Sequence, residues 1–348
     1  MGAIQIGQRR IGDDEPCFVI AEAGVNHDGD VETALRLIDA AVDAGADAVK
    51  FQTFVADSLV SASAPKAAYQ VETTGSESSQ LEMLSRLELS ADAFRRLRDH
   101  CLERGTIFLS TPFEDRSLDL LVELGVPALK VGSGEITNLP FLRRIAETGL
   151  PVVLSTGMST LDEVRAACAA LGAPDAELAV LHCVSRYPAP PETINLRAMA
   201  TLRRELSHPV GLSDHTIGRD IGVAAVALGA VALEKHLTLD TSRAGPDHRA
   251  SLDPPQLAEY VRAVRDVEAA MGDGTKRPAP GEAEVAAVAR KSVVVTTDLD
   301  AGHVLTASDL AIRRPGTGLA PDEIGRLPGR ALTRSLRAGD VVDADAVR

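Results

Sequence analysis

Two lysines stand where lysines rarely stand. Lys50 interrupts the apolar run Ala48-Val49-Lys50-Phe51, and Lys130 interrupts Ala128-Leu129-Lys130-Val131. A lysine buried in a strand needs a carboxylate partner or an anionic ligand, because its desolvated charge is otherwise too costly. Hydroxyls and glycines gather at the ends of similar runs, among them Thr111, Ser133, Ser155 and Ser213. Lysines, hydroxyls and free backbone N–H groups together make a cradle for phosphate or carboxylate. A Schiff base on Lys50 or Lys130 is the other chemistry open to them. Two histidines, His215 and His236, end consecutive apolar runs. Placed on neighbouring strands they can converge on one divalent metal, and nitrogen ligands suit Mn, Fe, Co or Zn better than Mg or Ca. His27, His182 and His248 are weaker candidates, and His100, His208 and His303 read as surface or loop residues.

The elements that must position these groups follow a rhythm. Short apolar runs occupy residues 17–24, 48–54, 106–112, 128–135, 151–157, 178–185, 209–215 and 230–237. Continuous rather than alternating apolar character is the mark of a parallel strand buried on both faces. Helix-like segments at 31–44, 91–104, 115–124, 160–171 and 220–228 lie between them, and glycines such as Gly45, Gly105, Gly125 and Gly229 stand where helices should stop. Eight strand–helix units in series predict a (β/α)8 TIM barrel, with a doubly wound sheet as the main rival. In a barrel the reactive groups leave the carboxyl ends of the strands, and every one of the eight ends here carries polar or ionisable residues. Residues 55–90, rich in Ser, Ala and Thr, read as a long loop with little regular structure, of the kind that covers such a site.

The predicted domains are a barrel over 1–270, a Gly/Pro-dense linker over 271–290, and a small β-rich domain over 291–348. A formal charge of −14 argues against nucleic acid or an anionic membrane as the partner, although a few cations in a cleft can still hold a small anion. The four cysteines are scattered without a Cys-x-x-Cys pair, so neither a disulfide scaffold nor a zinc ribbon is expected. Residues 1–10 lack an apolar run of the signal-peptide kind, and no segment approaches a membrane span. The expected compartment is the cytoplasm.

The same strand ends carry a resemblance. Ala21-Glu22-Ala23-Gly24-Val25-Asn26-His27, Val49-Lys50-Phe51-Gln52-Thr53, Leu109-Ser110-Thr111-Pro112-Phe113 and Lys130-Val131-Gly132-Ser133-Gly134-Glu135 stand in order. Leu212-Ser213-Asp214-His215-Thr216, Glu234-Lys235-His236, Gly245-Pro246-Asp247-His248 and Arg314-Pro315-Gly316-Thr317-Gly318 follow. With these words the chain resembles the N-acetylneuraminate (sialic acid) synthases and their legionaminate and pseudaminate relatives, over nearly its whole length. The tail is similar to the family's antifreeze-like (SAF) domain.

The resemblance implies a metal-dependent transferase that condenses phosphoenolpyruvate with an amino-sugar aldehyde and water. The first-choice sugar is N-acetylmannosamine, and the alternative is a 2,4-diacetamido-trideoxy hexose leading to legionaminate or pseudaminate. It implies that His215 and His236 hold the metal, usually Mn, with Mg or Co as substitutes. It implies that Lys50, Thr111, Lys130, Ser133, Ser155, Ser185 and Ser213 hold phosphoenolpyruvate; some members carry Asn in place of Ser185. Gln52, Glu135, Tyr187 and Asp247 would surround the sugar, and Glu22 and Glu135 are the plausible proton carriers. Arg314 would be donated by the tail of one subunit to the site of its partner in a domain-swapped homodimer. A Schiff-base aldolase on the same barrel remains the rival activity.

Overall fold

Strand alternation sorts the sequence into a floor, a wall and a working face. The computed structural model describes residues 2–348. Two three-residue strands, β1 (Ile4–Ile6) and β2 (Arg9–Ile11), pair antiparallel first. The eight apolar runs then form β3 (Phe18–Gly24), β4 (Ala48–Thr53), β5 (Ile107–Pro112), β6 (Leu129–Val131), β7 (Val152–Ser155), β8 (Leu178–Cys183), β9 (Val210–Asp214) and β10 (Ala232–His236). They make one parallel sheet in the order β5-β4-β3-β10-β9-β8-β7-β6, with β5 and β6 adjacent across the seam. A helix stands between each strand and the next and one follows β10, so the sheet is a nearly closed (β/α)8 barrel, as expected.

Side chains alternate between the two faces of a strand. One phase of β3 reads Phe18, Ile20, Glu22; β4 reads Ala48, Lys50, Gln52; β10 reads Ala232, Glu234, His236. The apolar members of this phase pack with one another and with Ile4, Ile6 and Ile11, so the amino-terminal hairpin closes the floor of the barrel. The polar members come later on each strand and line the opposite end. The other phase, including Val19, Val49, Val180, Leu212 and Leu233, packs under the helices in the larger core. Helix starts are fixed locally. Thr160 accepts from the Glu163 amide while Glu163 reaches back, and Asp253 with Gln256 does the same ahead of Pro254.

Two sequence expectations need correction. Residues 55–90 are not a loop with little regular structure but hold three short helices, Ala56–Leu59, Ala68–Thr74 and Gln80–Leu87. Their low apolar content hides them, yet Ser79 and Glu82 form a capping box and Met83 and Leu87 are buried. The stretch 271–290, read as linker, includes the helix Glu282–Ala289, an Ala/Val/Glu sequence of good helical propensity. The chain divides into two units, Met1–Gly272 and Asp273–Arg348. The second unit is built on the antiparallel pair β11 (Ser292–Val295) and β12 (Leu310–Arg313), around a small core that includes Val293, Val295, Leu305, Leu332 and Val342. Among the described residues no helix is long and apolar enough to cross a membrane.

Candidate active site

The polar ends of the inward phase meet in one cavity of about 310 Å³. Lys50 and Lys130 are both buried in its wall. Lys50 Nζ lies 2.6 Å from Glu22 and donates to Thr111 Oγ1 at 3.1 Å. Lys130 Nζ donates to Ser155 Oγ at 2.7 Å and to the Val131 carbonyl at 3.1 Å. Between the two ammonium groups stands Glu234, whose Oε2 is 3.8 Å from Lys50 and 3.7 Å from Lys130. Its other oxygen accepts from Ser213 at 3.1 Å. Glu234 was not among the residues singled out from sequence. The available signal was phase: it occupies the inward register of β10, level with Ser213 on β9.

Burial sets the protonation of this cluster. Burial pushes the Glu22 carboxyl up to about 7, with Lys50 opposing the rise and Glu234 adding to it. For Glu234 burial acts upward, but Lys130 and Lys50 outweigh it and hold the group below the usual range. Lys130 is pushed down by burial, and Glu234 only partly offsets this. Burial would also lower Lys50, yet Glu22 and Glu234 raise it on balance.

Glu22 binds its proton more tightly folded than unfolded, so its contribution to stability is full below about 4.5 and declines as pH rises to about 7. Glu22→Gln should flatten that decline in the metal-free protein. Denaturant melts at pH 5 and pH 7.5 should differ less for the variant, by at most about 3 kcal/mol. Equal slopes for both proteins would place the titrating group elsewhere.

The anion cradle needs a glycine. The Gly157 amide donates to Ser133 Oγ at 2.8 Å, which fixes that hydroxyl in the cavity wall. A Cβ at Gly157 would stand 2.2 Å from Ser185 Oγ and 2.9 Å from Ser133 Oγ, so no other residue lets these hydroxyls approach.

His215 and His236 meet at the same cavity with ring centroids 5.3 Å apart. His215 Nδ1 is 2.8 Å from the Val184 carbonyl, which requires the proton on Nδ1 and leaves the Nε2 lone pair free. His236 Nδ1 is buried with no hydrogen-bond partner and lies 3.6 Å from Asp247 Oδ2. Burial, then the nearby His215 and lysines, holds His236 well below its ordinary value, so it is neutral. A neutral imidazole with an orphaned ring nitrogen, beside a second imidazole anchored through its Nδ1, fits a divalent metal. Among the described residues no group of three His, Cys, Asp or Glu side chains forms a ready-made ligand set. The donor set therefore suits a metal whose remaining positions go to substrate and water rather than a closed structural zinc.

Tyr187 lies tilted over His215 at 4.1 Å between ring centroids and meets His236 edge-on at 5.7 Å. A second chamber of about 360 Å³ shares Gln52, Tyr187 and His236 with the first and adds Glu135 and Asp247. Gln52 donates to Glu22 at 2.9 Å. Burial pushes Asp247 up to about 6. Glu135 is half-buried, accepts from Asn138 at 2.7 Å, and reaches only this second chamber.

Every sequence-predicted site residue of the first unit thus lines one chamber or the other. Arg314 is exposed on the second unit. The weaker histidines do not join them. His182 bonds the Ile194 carbonyl, and His248 is buried between Thr238 at 2.7 Å and Asp28 at 3.0 Å. Sequence reasoning also passed over Tyr69, which stacks on Tyr187 at 5.0 Å, and Cys183, a buried thiol in the cavity wall.

Comparison with known proteins bears on this arrangement. The NeuB family model matches residues 37–276, and the SAF domain model matches residues 290–348. The chain is 45% identical to the N,N'-diacetyllegionaminic acid synthase of Legionella pneumophila, over 93% of this chain and 92% of that protein. It is 36% identical to the N-acetylneuraminate-9-phosphate synthase of Mus musculus, over 97% of this chain and 95% of that protein. Among solved structures, the N-acetylneuraminic acid synthetase of Leptospira borgpetersenii, determined with citrate, superimposes with a TM-score of 0.72 at 34% identity, covering 82% of this chain and 95% of that one. A barrel whose strand ends bring two buried lysines and two imidazoles to one cavity, followed by a SAF domain, thus belongs to the NeuB family of sialic, legionaminic and pseudaminic acid synthases.

Proposed function

We propose that the protein condenses phosphoenolpyruvate with an amino-sugar aldehyde and water to give a nonulosonic acid and phosphate. The observation that carries this reading is the placement of Lys50 and Lys130, buried and flanking one cavity beside a pair of imidazoles. Phosphoenolpyruvate supplies two anionic groups, which match two fixed cations ringed by hydroxyls. Its C3 attacks the aldehyde carbon, C2 becomes cationic, water adds there, and the tetrahedral intermediate expels phosphate. Lys50 and Lys130 offset charge on phosphate and carboxylate throughout. Glu22, buried and balanced near neutrality, is the proton carrier we favour over the half-exposed Glu135. His215 and His236 would hold a divalent metal, Mn first, which when bound supplies Lewis-acid polarisation of the aldehyde oxygen. Gln52, Tyr187, Asp247 and Glu135 would orient the sugar, a large part of the rate in a two-substrate reaction.

For the sugar, the 2,4-diacetamido-trideoxy hexose now stands ahead of N-acetylmannosamine. The support is the higher identity to a diacetyllegionaminic acid synthase than to an N-acetylneuraminic acid synthetase, 45% against 34%. Phosphate release from phosphoenolpyruvate, measured with each sugar and without any, tests the reaction. Release should require a sugar, and release without one would sink the reading. The Schiff-base alternative keeps one supporting feature, the lowered pKa of Lys130. Borohydride inactivation in the presence of pyruvate would favour it.

Arg314 is proposed to act on the sugar in the site of a second copy, in a homodimer that exchanges its tails. Arg314→Ala should then lose activity strongly, with little change in phosphoenolpyruvate binding. Mixing it with His236→Ala should return roughly a quarter of wild-type activity, because half the dimers are mixed and each has one intact site. No recovery after proven subunit exchange would show that the tail serves its own barrel or none.

A further inference from the structure

The second chamber has a mixed lining. It carries the carboxylates of Glu135 and Asp247. Much of the remaining lining comes from the segment spanning the helices Ala56–Leu59 and Gln80–Leu87. There Leu59, Val60 and Leu84 line the chamber and are only half-buried, Leu59 and Leu84 resting against a small core while part of their apolar surface stays uncovered. Met83 and Leu87 also line the chamber and are buried with Val25 and Phe54. No lysine or arginine among the described residues lines this chamber.

The wall is seated, not loose. Lys66 Nζ donates to Thr74 Oγ1, the Gly75 carbonyl and Ser78 Oγ at 3.0, 3.0 and 2.7 Å, which ties the middle of the segment together. Its last helix rests on the loop after β3, where a Cβ at Gly29 would stand 2.3 Å from the Arg86 carbonyl oxygen.

We infer that Leu59, Val60 and Leu84 are specificity-determining residues that select a sugar whose far end is unphosphorylated and methyl-bearing. The inference rests on the reading that this chamber holds the aldehyde sugar. A phosphate here would face two carboxylates and no cation of the barrel. Even one arginine delivered from a second copy would leave the carboxylates in excess. Water on the open faces of Leu59, Val60 and Leu84 is displaced favourably by a methyl group and unfavourably by a hydroxyl or phosphate.

The test is a comparison of kcat/KM for three probes: a 2,4-diacetamido-2,4,6-trideoxy-mannose, N-acetylmannosamine and N-acetylmannosamine 6-phosphate. The trideoxy sugar should lead N-acetylmannosamine by at least ~10-fold, as expected for a pocket that senses one small group. The 6-phosphate should fall behind by at least about 100-fold, given the like charges it would meet. Leu84→Arg should raise the ratio of 6-phosphate to unphosphorylated sugar at least ~10-fold, and Leu59→Lys should shift it in the same direction. Calorimetric binding of phosphoenolpyruvate alone reports that each variant keeps its fold and anion site. A wild-type enzyme that uses the 6-phosphate as well as the trideoxy sugar would overturn the inference and leave the condensation standing. So would an unchanged ratio in both variants with phosphoenolpyruvate binding intact. Sugar-independent phosphate release would overturn both.

Discussion

His236→Ala should leave a folded barrel that no longer turns over. The imidazole is buried, its Nδ1 has no hydrogen-bond partner, and its neighbours keep it neutral. Removing it therefore breaks no ion pair and strands no charge. What it removes is one of the two imidazoles that line the cavity among the described residues, so the site should lose its metal. The expected fall in kcat is at least about 1,000-fold, corresponding to several kcal/mol of transition-state stabilisation. Thermal unfolding of the variant should show a barrel close to wild type, and Mn binding followed by electron paramagnetic resonance should disappear. Chelation should silence the wild type, and added Mn should restore it. Undiminished turnover after exhaustive chelation would remove the metal from the account.

Lys50→Met is the second large effect, and it acts on binding and stability together. Methionine approximates the volume of the stem but deletes the cation. Phosphoenolpyruvate binding should weaken by at least ~1.5 kcal/mol, the lower end for a hydrogen bond to a charged group, or more than tenfold in Kd. The variant also leaves Glu22 without the ammonium 2.6 Å away, and Glu234 with Lys130 alone. Breaking a buried pair in this way typically costs about 3–5 kcal/mol. Glu22 has an escape, because it already binds a proton near neutrality and can take one up when its partner is gone. The stability loss should therefore be larger at pH 8 than at pH 5.5. Unchanged affinity for phosphoenolpyruvate by calorimetry would place the anion elsewhere.

The barrel was legible because its strands are buried on both faces and so appear as unbroken apolar runs. The five helices read from sequence appear within a residue or so at each end, since glycines mark their stops. The floor was not legible: β1 and β2 have three residues each, too few for a periodic signal. Nor was the 55–90 segment, whose helices are short and whose apolar face is confined to a few positions such as Met83 and Leu87.

Within the site, residue type was a good guide and strand phase a better one. Lys50 and Lys130 stood out as charges in apolar runs. Glu234 did not, because it was read as part of the word Glu234-Lys235-His236 rather than as the inward residue of its strand. The same phase turns Lys235 outward, where it pairs with Asp214 at 2.9 Å in a fully buried ion pair behind the barrel wall. Tyr69 carried no signal at all, since its contact with Tyr187 depends on a helix that the sequence hid.

In the proposed reaction phosphate leaves from C2 after water adds there, with both substrates held in one cavity. Phosphoenolpyruvate labelled with oxygen-18 at the bridging position, incubated with enzyme, Mn and the 2,4-diacetamido-trideoxy sugar, reports this by mass spectrometry of both products. The label should appear in inorganic phosphate, with the new keto acid taking its C2 oxygen from solvent. Label retained in the organic product, or released phosphate that forms without the sugar, would contradict it.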